Sequence, residues 1–132
     1  MLTAEFRRAW VLVPVLFLLA GLLSALGARA QETGFIAEID DLPLMPGLAE
    51  VEGAGVVFDK PSGRIVEAYA RGTVSRESVV SFYRDTLPQL GWSESAGLTF
   101  AREGESLAIE FLPDDSSSDG GPLTLRFTLK PE

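Results

Sequence analysis

The chain contains no cysteine and no histidine. Without cysteine it can build no disulfide framework, thiolate nucleophile, Cys-ligated zinc site or lipobox for a lipid anchor. Without histidine it lacks Ser-His-Asp and Cys-His pairings, imidazole ligands, and any side chain that ordinarily titrates near neutral pH. Basic residues are scarce as well: 11 Lys and Arg stand against 19 Asp and Glu, a net charge of −8 over 132 residues. That field repels nucleic-acid phosphate and anionic lipid headgroups, and no basic stripe offsets it. Nucleic acid is therefore not expected as a partner. The length leaves room for one domain at most.

The apolar residues are concentrated at one end. Arg7 and Arg8 precede an uncharged run over residues 9–26, AWVLVPVLFLLAGLLSAL. The run closes on Gly27-Ala28-Arg29-Ala30, where Ala28 and Ala30 fit the small-x-small pattern of a signal-peptidase site. Residues 1–30 read as a secretory signal peptide, with a mature chain starting at Gln31. The competing reading is a retained N-terminal anchor, because the run just reaches spanning length. Either way the remainder is expected outside the cytoplasmic membrane, periplasmic or tethered to the inner membrane and facing the periplasm. Membrane contact is expected only through the uncleaved segment. Cleavage removes three arginines and one glutamate, leaving eight basic and eighteen acidic residues, a charge of −10 over 102 residues.

Residues 31–53 form an extended, proline-containing lead-in, with Pro43 and a Pro46-Gly47 pair marking turns. Leu42, Leu44, Met45 and Leu48 are too apolar for a free linker, so part of it is expected to strap across a core edge. Residues 54–132 read as one α+β domain. Val56-Val57-Phe58 is β-rich, and Lys60-Pro61-Ser62-Gly63 has the proline and glycine positions of a type I turn. Residues 64–74 return as a strand, with Val66, Ala68 and Ala70 on one face and Ile65, Glu67, Tyr69 and Arg71 on the other. The small residues on the first face leave room for a helix.

Ser75 is an N-cap candidate for a helix over residues 76–90, with Val79, Phe82, Tyr83, Leu87 and Leu90 at helical spacing. Glu77 suits the first turn of that helix. Pro88 ends or kinks it, and Gly91 supplies the permissive position beyond. Residues 98–102 and 106–112 flank a glycine-containing turn, and residues 123–130 alternate without a break. The expected architecture is one antiparallel sheet of about five strands, order β-β-α-β-β-β, covered on one side by the helix. By size the mature chain can fold without disulfides or metal. Trp92, Phe58, Phe82, Phe100, Phe111 and Phe127 are the expected core aromatics.

Few residues suggest chemistry. Asp115, Ser117, Asp119 and Gly120 fit the first, third, fifth and sixth positions of an EF-hand loop, but the twelfth is Arg126, where calcium needs a bidentate glutamate. A solvated hairpin loop is the plainer reading of that segment. Glu103 with Glu105, and Asp40 with Asp41, are carboxylate pairs that an acidic surface provides without catalytic purpose. Lys60 and Lys130 are expected in water rather than desolvated beside a serine. No catalytic, metal or cofactor residue is assigned, and no enzyme activity is expected. Arg64, Tyr69 and Arg71 form the candidate partner-binding set, since an aromatic interleaved with arginines can mark an interface hot spot. A plain solvated sheet face is the alternative.

Residues 74–92, with Phe82-Tyr83-Arg84 and Leu87-Pro88-Gln89-Leu90-Gly91-Trp92, resemble a pattern in small uncharacterised envelope proteins of Gram-negative bacteria. There a helix ending in Leu-Gly-Trp is followed by antiparallel strands. The arrangement is similar, in topology only, to the helix-grip domains of outer-membrane assembly lipoproteins, from which this chain departs by lacking the acylated cysteine. The resemblance spans about 19 residues and transfers no catalytic residue. The leading expectation is a non-enzymatic exported domain that binds another envelope protein. The alternative is a small-molecule or lipid-binding module with its cleft between helix and sheet. The sequence assigns no oligomeric state.

Overall fold

The computed structural model describes residues 34–113 and 120–132. The export segment over residues 1–30, the start of the lead-in, and Asp115, Ser117 and Asp119 of the EF-hand-like loop lie outside the described residues. Among the described residues no helix is long and apolar enough to cross a membrane.

The strands form one antiparallel sheet of seven: β1 (Ala49–Glu50), β2 (Val56–Lys60), β3 (Gly63–Gly72), β4 (Ser93–Ala96), β5 (Thr99–Arg102), β6 (Glu105–Phe111) and β7 (Leu123–Pro131). Their spatial order is β1-β3-β7-β6-β5-β4, and β2 pairs with β3 on the edge that β1 also uses. The last strand of the chain is thus central. Among the described residues one α-helix, α1 (Arg76–Thr86), connects β3 to β4 across the inner face.

The α+β class and the antiparallel sheet agree with the sequence reading, but seven strands replace the expected five. The two additions have identifiable causes. β1 is only two residues long and falls within the lead-in, where its pairing is set by β3 rather than by its own composition. β4 reads Ser-Glu-Ser-Ala and is exposed throughout, so it has no alternation to detect. Its backbone pairs with β5 all the same.

The helix forms as its ends dictate. The Ser75 hydroxyl accepts a hydrogen bond from the Ser78 amide at 3.1 Å, satisfying one of the orphan donors of the first turn. Glu77 adds negative charge where the dipole favours it. At the other end Pro88 cannot donate, and the α-helix gives way to a 3₁₀ turn over Leu87–Leu90. Gly91, at φ 86°, sits in the left-handed region that glycine enters without a Cβ penalty. There the Trp92 amide donates back to the Leu87 carbonyl at 3.1 Å.

The inner face of the sheet carries the core. Val66, Ala68 and Ala70 of β3, Leu125, Phe127 and Leu129 of β7, Leu107 and Ile109 of β6, and Phe100 of β5 are buried there. Val79, Tyr83 and Leu87 close it from the helix, and Trp92 follows. Tyr83 meets Phe82 and Phe127 edge-on, with ring centroids 5.0 and 5.7 Å apart. Of the expected core aromatics, Trp92, Phe100 and Phe127 are buried, Phe82 and Phe111 partly so. Phe58 is not: its strand lies at the sheet edge, and it pairs with Ile65 on the face away from the helix.

The lead-in completes the core. Ile36, Ile39, Leu42 and Leu48 are buried, and Tyr83 ties the segment down by donating its hydroxyl to the Pro43 carbonyl at 3.1 Å. The Met45 amide donates to the same hydroxyl at 3.4 Å. The strap touches both ends of β3. At one end an Arg64 guanidinium N–H donates to the Glu38 carbonyl at 3.1 Å. At the other, a Cβ on Gly72 would collide with the Gly47 carbonyl oxygen. Small residues on β3 therefore admit a strap as well as a helix.

Candidate functional site

The outer face of the sheet is built by strict alternation from β3, β6 and β7. Register places Tyr69 beside Arg126, and Arg126 beside Glu110, in one row across three strands. Arg126 donates to the Glu110 carboxylate at 2.6 and 3.0 Å. That bond first, and the carboxylate charge second, hold the guanidinium pKa above its ordinary value. The Tyr69 hydroxyl donates to Glu67 on the same strand at 3.1 Å. The row is a solvated, internally paired polar surface.

Of the sequence-predicted set, Tyr69 and Arg71 share this outer face. Arg64 does not. It has the parity of Val66, Ala68 and Ala70, and it is spent at the strand start on the Glu38 carbonyl of the strap. The period-2 rule separates Arg64 from Tyr69 and Arg71. Proximity in sequence groups residues that the pleat puts on opposite sides.

The more distinctive feature is the strand next to them. β2 pairs with β3 over five residues without a register shift, from Val56 opposite Glu67 to Lys60 opposite Gly63. Among the described residues no strand pairs with its other edge. Every residue of β2 is exposed, including Val56 (39%), Val57 (46%) and Phe58 (56%). Between β1 and β2 the edge is irregular. It spends six residues, from Glu50 to Val56, where β3 spends three, from Ala70 to Glu67. The Glu52-Gly53-Ala54 turn takes up the excess, so only the β2 stretch keeps an unbroken register. An edge strand presents unpaired N–H and C=O groups at every second residue, a ready template for another strand. The sequence shows Val56-Val57-Phe58 as β-rich but does not tell that Phe58 is exposed, because β-propensity does not distinguish a buried strand from an exposed edge.

The space between helix and sheet is filled by Tyr83, Phe127, Leu87 and Phe100, all fully buried. Tyr83 is the one titratable group resolved there, and burial pushes its phenol well above the ordinary tyrosine value. Among the described residues no group of three or more acidic side chains converges as metal ligands. Comparison of the chain with protein-family models, curated proteins and solved structures returned no match.

Proposed function

We propose that this chain is a non-enzymatic exported domain that binds another protein of the cell envelope by adding an extended strand to the edge of β2. One observation carries the reading: a regular edge, unpaired among the described residues, that exposes Val56, Val57 and Phe58 in succession. Main-chain hydrogen bonds supply affinity in such strand addition, and alternate side chains supply specificity. The outer-face pair Tyr69 and Arg71 borders the same docking region, with Ile65 next to Phe58. The filled helix–sheet interface favours this reading over a small-molecule or lipid site, which needs that space empty. The export reading rests on the charge-flanked apolar run and the small-x-small site of residues 1–30.

The test is a photo-reactive phenylalanine analogue placed at Phe58, Tyr69 or Ser95 of the full chain in intact cells. Protein adducts are expected at position 58, fewer at 69, and none at 95 on the opposite edge. Equal adduct formation at 58 and 95, or none at 58, overturns the proposal.

A further inference from the structure

We infer that the strand added to β2 is the β2 of a second copy of this chain, paired antiparallel about Phe58. The inference rests on the edge-docking reading above and names its occupant.

The argument comes from how charge is laid out along the edge. At the Val56 end the neighbours are acidic. Glu67 stands directly across from Val56, and a Cβ on Gly55 would lie 3.7 Å from the Glu38 side chain. Glu52 follows in the exposed connection. At the turn end the outer-face cation is Lys60, while Arg64, across from Asp59 on the other face, reaches back to the Glu38 carbonyl. On its outer face the edge is therefore acidic at its start, with Glu67, and basic at its turn, with Lys60. A second copy lying parallel would set acid against acid. An antiparallel copy sets each basic end against the other's acidic end.

The pairing about Phe58 is self-complementary, as a twofold contact must be. Phe58 then opposes its own copy, Val57 opposes Asp59 of the other chain, and Val56 opposes Lys60. The side chains agree in face: Val56, Phe58 and Lys60 all pair with outer-face positions of β3 or with Gly63 beside them. Lys60 of one copy thus arrives next to Val56 and one strand further from Glu67. Two strand spacings are about 10 Å, which a lysine and a glutamate side chain span together.

The backbone agrees too. A two-residue loop makes Lys60 and Gly63 a hydrogen-bonded pair, and alternation turns the amides and carbonyls of Val57 and Asp59 outward. Those are the groups that the antiparallel register pairs. Phe58 and its copy become a non-hydrogen-bonded pair, with Cα atoms about 4.5 Å apart. The two outer faces would join into one continuous sheet surface carrying Tyr69 and Arg71 twice.

The absence of cysteine makes the test clean, since any introduced thiol is the only one. Phe58→Cys in the full chain, treated with a mild oxidant, is expected to run at twice the chain mass on a non-reducing gel, because that separation lies within disulfide range. Val57→Cys and Ser95→Cys are expected to remain monomeric. Adding Lys60→Glu to the Phe58→Cys chain should cut the cross-link about tenfold, and adding Glu67→Lys to that chain should restore most of it. Phe58 is exposed, so its replacement leaves the core intact. A photo-adduct to a different protein at position 58, with no disulfide dimer, overturns the second-copy inference and leaves the edge-docking reading standing. No adduct and no dimer overturns both. A dimer equally strong from Val57→Cys, or indifferent to Lys60→Glu, overturns the register.

Discussion

The sheet ends in two edges built on opposite principles. β4 is short, polar and bulged: its register shifts between Glu94 and Ala96, and Ser95 turns its hydroxyl to the Thr99 carbonyl at 3.1 Å. Glu94 is engaged by Arg84 of the helix at 3.0 Å, which puts a charged pair on this strand. These are the devices by which edges avoid pairing with other chains. β2 carries no bulge along its regular stretch, and its charges, Asp59 and Lys60, are confined to the turn end. The fold can end a sheet in water with serine and glutamate, as β4 does. Valine and phenylalanine at β2 are therefore not required for termination, and their exposure points to contact.

The most disruptive way to test the comparison is to remove what both edges share. Phe127 lies on the central strand β7, between β3 on the β2 side and β6 on the β4 side, and packs against Tyr83. Phe127→Ala should cost about 3–5 kcal/mol, from lost burial plus an unfilled cavity. Probes placed on β2 and β4 should lose structure in one coincident thermal transition. Two separated transitions would mean that the edges belong to independent units.

A smaller change should act on one side alone. Tyr83→Phe removes the hydroxyl that binds the Pro43 carbonyl and receives the Met45 amide. The expected loss is about 1–2 kcal/mol, because it leaves these strap groups without that partner. Hydrogen exchange should quicken over residues 36–48 and stay unchanged over 93–102. The same residue gives a pH signature. Burial first, opposed by the Met45 amide bond, raises the phenol pKa in the folded chain. The unfolded chain ionises near pH 10 and the folded chain only above that. The contribution of Tyr83 is thus complete below about pH 10 and is lost as the pH rises beyond it. Tyr83→Phe should flatten that alkaline decline in the thermal midpoint.

Much of this architecture was legible before the structure. The helix was marked at both ends, by Ser75 and by Pro88 with Gly91, because caps are local chemistry. β7 was legible because its alternation runs unbroken. What the sequence does not display depends on partners distant along the chain. β1 and β4 are strands by virtue of what lies beside them. Tyr83 is fully buried, with its hydroxyl bonded to a strap some forty residues earlier. Within the candidate set, parity alone separates Arg64, which falls with Val66, Ala68 and Ala70, from Tyr69 and Arg71 on the other face. Phe58 was placed in the core because an apolar strand pattern does not state which side of the sheet is covered.

The smallest effect tests the polar edge directly. Arg84 and Glu94 are both substantially exposed, so their ion pair is screened, and Arg84→Ala should change stability by no more than about 0.5 kcal/mol. If the pair serves chiefly to occupy the edge, its removal should matter for association rather than for folding. Joining Arg84→Ala to Ser95→Val gives β4 an unguarded apolar edge resembling β2. That chain should keep its thermal midpoint within a few degrees yet acquire concentration-dependent association, measurable by light scattering. Should it stay as dispersed as the unaltered chain, exposed apolar residues on an edge would not suffice for pairing. The regularity of β2 and the charge layout beside it would then be the features that distinguish the two edges.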